Sequence, residues 1–160
     1  VTFGKRYVED SLFECFQANH QSYPVLLPAK SDQPQDTLPH LRFHNGTIWR
    51  WNRPLIGFSD SGQAHLRIEH RAVPAGPTVI DCVANAAFYY GLVNGFDVSL
   101  PVSELADFET AAMNFYAAAR FGLSAEMQWA GQTVAVNELI LTEFIPQAIT
   151  GLRKLNMQMS

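Results

Sequence analysis

The segment His65–Arg71 alternates between polar and mostly apolar side chains, and this period of two is typical of an extended strand. Successive side chains of a strand point to opposite faces of a sheet. One face would then carry the polar set and the other the mostly apolar set: His65, Arg67, Glu69 and Arg71 against Leu66, Ile68 and His70. The polar turn Ser59–Gly62 leads into this strand, so we expect it to follow a short connection from an earlier strand.

Two earlier strands are predicted within the segment Leu41–Arg53. Its Asn45-Gly46 dipeptide is the strongest short signal for a hairpin turn, and the β-forming residues of Thr47–Trp51 follow at once. Three strands joined by short turns imply an antiparallel meander.

Helical spacing of apolar residues predicts four helices, at Arg6–Ala18, Val79–Val93, Glu104–Arg120 and Asn137–Lys154. Thr78 and Asp81 resemble a helix-capping pair, Gly122 suits a helix end, and Pro146 should kink the last helix. A small hairpin is expected within Glu126–Val136, around Ala130-Gly131. The predicted fold class is therefore α+β, with a short antiparallel sheet packed against three or four helices.

The length of 160 residues favours a single domain, in which residues 23–39 form a proline-rich loop. The net charge of −4 argues against a nucleic-acid partner, and the longest apolar run, Ala84–Tyr90, is too short to cross a membrane. Cys15 and Cys82 fit no metal or redox spacing, so we expect buried free thiols and a cytoplasmic location. The start at Val1 favours a fragment of a longer protein.

The polar face of the predicted strand holds one carboxylate, Glu69, between Arg67 and Arg71. A carboxylate oxygen can ligate Mg²⁺, and a guanidinium group can bind phosphate or carboxylate through two hydrogen bonds. The alternative is a solvent-exposed strand with cross-strand ion pairs, each contributing about 0–1 kcal/mol.

Upstream, arginines alternate with aromatic residues: Arg42, Arg50 and Arg53 with Phe43, Trp49 and Trp51. This pattern fits the wall of a binding site, but it fits ordinary packing at a sheet edge equally well. Spacing alone leaves both interpretations open.

An ordered series of segments resembles the second half of the glutamate–cysteine ligase family 2 domain, over about residues 42–154. The matching segments are His44–Pro54, His65–Arg71, Pro74–Thr78 with Asp81, Ala84–Phe88, Gly91-Leu92 and Met113–Leu123. In that family a Gly-Thr-hydrophobic-aromatic strand ends in Arg-Pro, and a later strand carries a Glu-x-Arg motif.

The resemblance implies a glutamine-synthetase-like fold and an ATP-dependent carboxylate–amine ligase, which joins glutamate to an amine such as cysteine through a γ-glutamyl phosphate. On the matching positions, Glu69 would be a Mg²⁺ ligand and Arg71 would contact the transferred phosphate. Arg53 and Arg67 would bind phosphate or the substrate carboxylate. Further residues expected along the walls of the ATP site are Thr47, Trp49 and His65.

The chain departs from the family because no cluster of metal-binding carboxylates precedes Leu41. Glu9-Asp10 and Glu14 are interpreted as the solvated face of the first helix. We therefore expect this chain to carry part of the site, to be inactive alone, and to pair with the remainder of the catalytic domain or form a homodimer through an open sheet edge. The alternatives are a non-catalytic module that binds a nucleotide or acidic ligand, and an interaction domain.

Three histidines are assigned no role in this chemistry. His20 and His40 lie in or beside the proline-rich loop and are expected at the surface. His70 shares the apolar face of its strand, so we expect a hydrogen-bonded histidine in the core.

Overall fold

The structure, a computed structural model, describes residues 3–96 and 101–156. Within these ranges helices predominate and two small antiparallel sheets are present, which confirms the mixed α and β composition. Contacts divide the chain into two compact units, one ending at Pro74 and the other beginning at Ala75.

The first unit contains two helices and one hairpin. Its elements are α1 (Phe13–Ser22), a 3₁₀ turn (Gln35–Thr37), α2 (Pro39–Thr47), β1 (Asn52–Phe58) and β2 (Ala64–His70). The strands pair antiparallel, with Arg53 opposite Glu69. The predicted polar turn closes the hairpin, where the Gly62 N–H donates to the Ser59 carbonyl at 2.9 Å.

The predicted hairpin at Asn45-Gly46 is wrong, because both residues lie in α2. Pro39 occupies the first turn of this helix, where its missing N–H and fixed φ are tolerated. The Asn45 side chain is buried and donates to the Pro54 carbonyl at 2.8 Å, while the Asn19 amide donates to Asn45 Oδ1 at 3.0 Å. These tertiary hydrogen bonds outweigh the local turn preference. The sheet has two strands, so the three-stranded meander is also wrong.

A buried polar cluster joins the elements of this unit. Asn19 on α1 accepts from Arg50 Nε at 3.1 Å and from its Nη2 at 2.6 Å. Together with the bonds of Asn45, this connects α1, α2 and the start of β1. Buried polar groups stabilise a fold only when they are hydrogen-bonded. Each hydrogen-bonded amide here therefore adds about 1 kcal/mol to the free energy of unfolding instead of lowering it.

The first helix begins later than predicted, at Phe13 rather than Arg6. Glu14 Oε1 accepts from the backbone N–H groups of Glu9, Asp10 and Ser11 at 3.1, 2.7 and 3.3 Å. Its Oε2 forms an ion pair with Arg6 at 2.7 Å. Glu14 therefore clamps a looped N-terminal segment, and its interpretation as a solvated helix face is corrected.

The second unit is mainly helical. Its elements are α3 (Val79–Gly95), α4 (Val102–Leu105), α5 (Phe108–Phe121), a 3₁₀ turn (Gly122–Ser124), β3 (Glu126–Trp129), β4 (Gln132–Ala135), α6 (Val136–Leu139), a π-helical turn (Ile140–Phe144) and α7 (Ile145–Lys154).

Capping explains where α3 begins and where α5 begins and ends. The predicted capping pair is confirmed: the Thr78 side chain accepts from Asp81 N at 3.2 Å and the Thr78 N–H donates to Asp81 at 3.0 Å. The helix predicted for Glu104–Arg120 is interrupted, because Asp107 accepts from Thr110 N at 2.7 Å and starts α5. Gly122, with a φ of +57°, ends α5 as predicted.

The C-terminal region confirms the hairpin around Ala130-Gly131, in which β3 and β4 pair antiparallel. A π-helical turn (Ile140–Phe144) precedes α7, and Pro146 lies in the first turn of α7; the kink at Pro146 stays a prediction. Proline has no N–H to donate to the preceding turn, and a wider turn accommodates this missing hydrogen bond.

The exposure of the two cysteines differs from the prediction. Cys15 is half-buried and Cys82 is exposed, so the prediction that both thiols are buried is wrong. Among the described helices, none combines the length and apolar character required to cross a membrane.

Candidate anion-binding site

The register of the β1–β2 hairpin gathers most of the predicted site residues. Arg53 lies opposite Glu69, Leu55 opposite Arg67, and Gly57 opposite His65. Side chains at alternate positions of paired strands share a face. We call this surface the arginine face and define it by Arg53, Arg67, Glu69 and Arg71, with His65 and Trp49 at its margins.

Glu69 is the centre of the arginine face. Its Oε2 accepts from Arg53 Nε at 2.9 Å, lies 2.6 Å from Arg53 Nη2, and lies 3.4 Å from Arg71 Nη1. Burial alone would raise the pKa of Glu69, but the hydrogen bond and charge of Arg53 and the charge of Arg71 outweigh it and lower the pKa. The carboxylate is therefore ionised and holds two guanidinium groups in place.

Arg53 is the more deeply seated of these two arginines, with a side chain 12% exposed. Its Nη1 donates to the carbonyl of Gly46 at 2.9 Å, in the last turn of α2. The C-terminal carbonyls of a helix carry partial negative charge and attract cations. The helical form of the Asn45-Gly46 segment, which sequence reasoning missed, thus positions a predicted site residue.

Arg71 follows directly after β2, and its N–H donates to the Trp51 carbonyl at 2.8 Å. Its guanidinium group lies over the ring of Trp49, 3.7 Å from the ring centroid. Trp49 meets Trp51 edge to face at 6.4 Å. Stacking on an aromatic face leaves the edges of a guanidinium free to donate, so Trp49 supports Arg71 as a wall residue would.

Arg67 differs from its neighbours. It is exposed, and no ion pair or hydrogen bond of its side chain is found among residues 3–96 and 101–156. A methyl group on Gly57 would run into both the His65 ring and the Arg67 guanidinium, so both side chains lie across this glycine. Gly57 makes room for these two side chains because it has none of its own. The glycine is visible in the sequence, but the alternating strand pattern did not indicate its role.

The charge of the arginine face is positive, although the chain has a net charge of −4. Three guanidinium groups face one carboxylate, which leaves two positive charges in excess. Arg53 and Arg71 are oriented by Glu69, and Arg67 is available to a ligand. Such an arrangement suits a phosphate or carboxylate, which accept paired N–H donors.

A complete Mg²⁺ site does not fit the same residues. In the described part of the chain no group of three His, Cys, Asp or Glu side chains is placed to hold a metal ion. Mg²⁺ prefers octahedral oxygen ligation, and Glu69 Oε2 is already neutralised by two arginines. Oε1 of Glu69, for which no hydrogen bond is found among the described residues, offers one ligand at most.

Thr47 lies outside the arginine face, and the core position predicted for His70 is wrong. Thr47 ends α2, where its hydroxyl donates to the His44 carbonyl at 2.8 Å. His70 is not in a core: its strand neighbours Leu66 and Ile68 are 57% and 46% exposed. His70 Nδ1 instead lies 2.7 Å from Asn52 Oδ1, and burial lowers the pKa of this imidazole.

Comparisons with protein families, curated proteins and solved structures gave no match to this chain. The assignment of a function therefore depends on the chemistry of the arginine face and on the sequence resemblance given above.

Proposed function

We propose that this chain contributes the anion-binding part of the active site of an ATP-dependent carboxylate–amine ligase of the glutamate–cysteine ligase type. The observation that carries the proposal is the exposed guanidinium of Arg67 beside two arginines that Glu69 holds in place. In the proposed reaction the γ-carboxylate of glutamate takes the terminal phosphoryl group of ATP and ADP leaves. The amine then attacks the acyl carbon, and phosphate leaves.

The arginine face suits this reaction because phosphoryl transfer depends on alignment and on neutralising charge. Arg53 and Arg71 are preorganised by Glu69, Gly46 and Trp49, so they bind an anion without first losing side-chain freedom. We assign the transferred phosphate to Arg71, and phosphate or the substrate carboxylate to Arg53 and Arg67. His65, beside Arg67, forms the margin of the site.

Mg²⁺, when bound with ATP, would neutralise phosphate charge. Glu69 Oε1 is the ligand that this chain offers, and the remaining ligands are assigned to the rest of the catalytic domain. Thr47 adjoins Gly46 at the end of α2 and is retained as a neighbour of the ATP site.

The test uses the matched variants Arg67→Ala and Arg42→Ala. Both remove an exposed arginine from the first unit, but Arg42 lies on α2 against Phe58 and outside the arginine face. Binding of ATP, with and without Mg²⁺, and of inorganic phosphate is measured by calorimetry. Because a hydrogen bond to a charged group contributes about 1.5–3 kcal/mol, we expect Arg67→Ala to weaken binding roughly tenfold or more.

Arg42→Ala should leave these affinities unchanged. Equal loss in both variants, or no binding of ATP and phosphate to the unmodified chain, would overturn the proposal. With Mg-ATP, glutamate and cysteine we expect binding without phosphate release, because the described residues do not complete a metal site. Turnover at an ordinary enzymatic rate would show that the chain by itself holds the whole site.

A second candidate function, an interaction domain, is favoured by one observation on α3. Five apolar residues of α3 are separated by four and three positions in turn, and all of them are exposed: Val79, Val83, Ala86, Tyr90 and Val93. This spacing is that of a coiled-coil seam, and Asp81 is the only charged residue in the helix. A second copy of this chain would present the same neutral seam, so self-association is the form of interaction that we propose.

A further inference from the structure

A pocket in the first unit lies apart from the residues that define the arginine face. It has a volume of about 390 Å³ and is bounded by the last turn of α1, loop residues 25–29 and α2. This volume is within the range of small-molecule sites. Its apolar lining includes Leu26, Leu41 and Phe43.

The polar groups of this pocket are mainly imidazoles. Three of the five histidines in the chain, His20, His40 and His44, line it. An imidazole donates an N–H in its neutral form as well as in its protonated form. The described lining contains no aspartate or glutamate, so a negatively charged ligand meets donors without repulsion. These three histidines are not placed to hold a metal ion together.

One of these histidines, His44, has a ring nitrogen without a hydrogen-bond partner in the described part of the chain. His44 Nε2 is buried and has no hydrogen-bond partner among the described residues. A buried polar atom without a partner costs about 1–3 kcal/mol, and native structures keep few of them. Because this atom has almost no solvent-accessible surface, the exposed imidazoles of His20 and His40 are the groups that can donate to a ligand in the pocket.

We propose that this pocket binds a small monocarboxylate with an aliphatic or aromatic body. The apolar side chains would cover the body, and the imidazole N–H groups would donate to the carboxylate. This site goes beyond the proposed ligase function. It is nevertheless close to it in the chain, because Thr47 lines the pocket and the adjacent Gly46 holds Arg53 at 2.9 Å.

The experiment is an NMR titration of the full chain with hexanoate, hexanol and hexylamine, which share one apolar body. We expect hexanoate to shift the resonances of His20 and His40, to leave those of His65 and His70 in place, and to bind roughly tenfold more tightly than hexanol. Equal affinity for hexanol, or tighter binding of hexylamine, would overturn the carboxylate assignment.

The variants Leu26→Gln and Leu26→Glu have side chains of the same length and differ in charge. Leu26 is 69% exposed, so both substitutions should leave the fold intact. Hexanoate affinity should fall about tenfold further in Leu26→Glu than in Leu26→Gln, while hexanol affinity should be the same in both. If charge at this position has no effect on hexanoate, the proposal is wrong.

Arg67→Ala separates this site from the arginine face, which also attracts carboxylates. Hexanoate binding should persist in this variant with unchanged affinity. If Arg67→Ala abolishes hexanoate binding, the ligand lies on the arginine face and the pocket proposal is refuted. If the variant binds both hexanoate and phosphate as well as the unmodified chain does, the result counts against the proposed function alone.

Discussion

Glu14 and Glu69 each accept several hydrogen bonds, but they differ in how many of their carboxylate oxygens are engaged. Both oxygens of Glu14 are engaged, one by backbone N–H groups and the other by Arg6. The hydrogen bonds found for Glu69 among the described residues go to Oε2, and each of its arginine partners has N–H groups beyond those that bond to Glu69. Glu14 therefore acts in stability, whereas Glu69 organises a candidate site.

The protonation of Glu14 makes stability depend on pH. The hydrogen bond from the Asp10 N–H is the largest cause, burial opposes it, and the bonds from Ser11 and Arg6 add to it, so the pKa of Glu14 falls from 4.5 to about 2. A carboxylate with a lowered folded-state pKa stabilises the fold above its unfolded pKa. That stability is lost as the pH falls from about 4.5 toward 2.

Substituting Glu14→Gln tests this dependence through urea unfolding followed by circular dichroism. The variant should be less stable than the unmodified chain at neutral pH, and the difference between them should shrink as the pH falls from 4.5 to about 2. Glu126→Gln, at an exposed carboxylate of β3, is the control. A stability difference that stays constant across this pH range would contradict the role given to Glu14.

At the scale of elements, the backbones of α3 and α7 lie in close contact. A methyl group on Gly151 would overlap the carbonyl oxygen of Gly91 and crowd the N–H of Gly95. Backbone atoms cannot rotate away as a side-chain tip can, so the two helices would have to separate. The glycines therefore set the distance between these helices and with it the packing of the second unit.

We expect Gly151→Ala to lower the free energy of unfolding of the second unit by about 1–3 kcal/mol through overpacking. Gly46→Ala is the matched control, since its new methyl group meets nothing within 4 Å and lies in a helix. Alanine is preferred to glycine inside a helix by about 0.5–1 kcal/mol, so this control should be stabilised. Thermal unfolding of both variants measures the two effects, and equal shifts would contradict the close-contact explanation.

At the scale of the whole molecule, few apolar side chains of the described residues are fully buried. The buried hydrophobic residues are Phe16, Ile48, Ala125, Val136, Leu139 and Ala148. Many larger ones are exposed, including Val79 and Ile80 at 80% each. A contiguous exposed apolar patch marks an interaction site in many proteins, and the exposed row along α3 is the candidate here.

Self-association through the α3 seam is the corresponding prediction. Sedimentation velocity should show dimers that increase with protein concentration, and Val83→Glu combined with Tyr90→Glu should shift the chain to monomer by placing like charges across the seam. Both positions are exposed, so the substitutions should not unfold α3. A chain that stays monomeric at high concentration would contradict this prediction.

Local signals in the sequence were sufficient for several elements. The alternation in His65–Arg71 predicted β2, Thr78 and Asp81 predicted the start of α3, and Ala130-Gly131 predicted the second hairpin. Each of these features depends on residues a few positions apart. At these positions no tertiary contact among the described residues competes with the local preference, so the sequence pattern was enough to identify the element.

Other features were decided only by tertiary structure. Asn45-Gly46 became helical because Asn19 and the Pro54 carbonyl satisfy a buried amide, and these partners lie 26 and 9 residues away. The same helix end supplies the carbonyl that seats Arg53 beside Glu69. The sequence thus determined which charged residues the strand carries. Tertiary structure decided which of them are paired and which is free, because that depends on groups brought together only by folding.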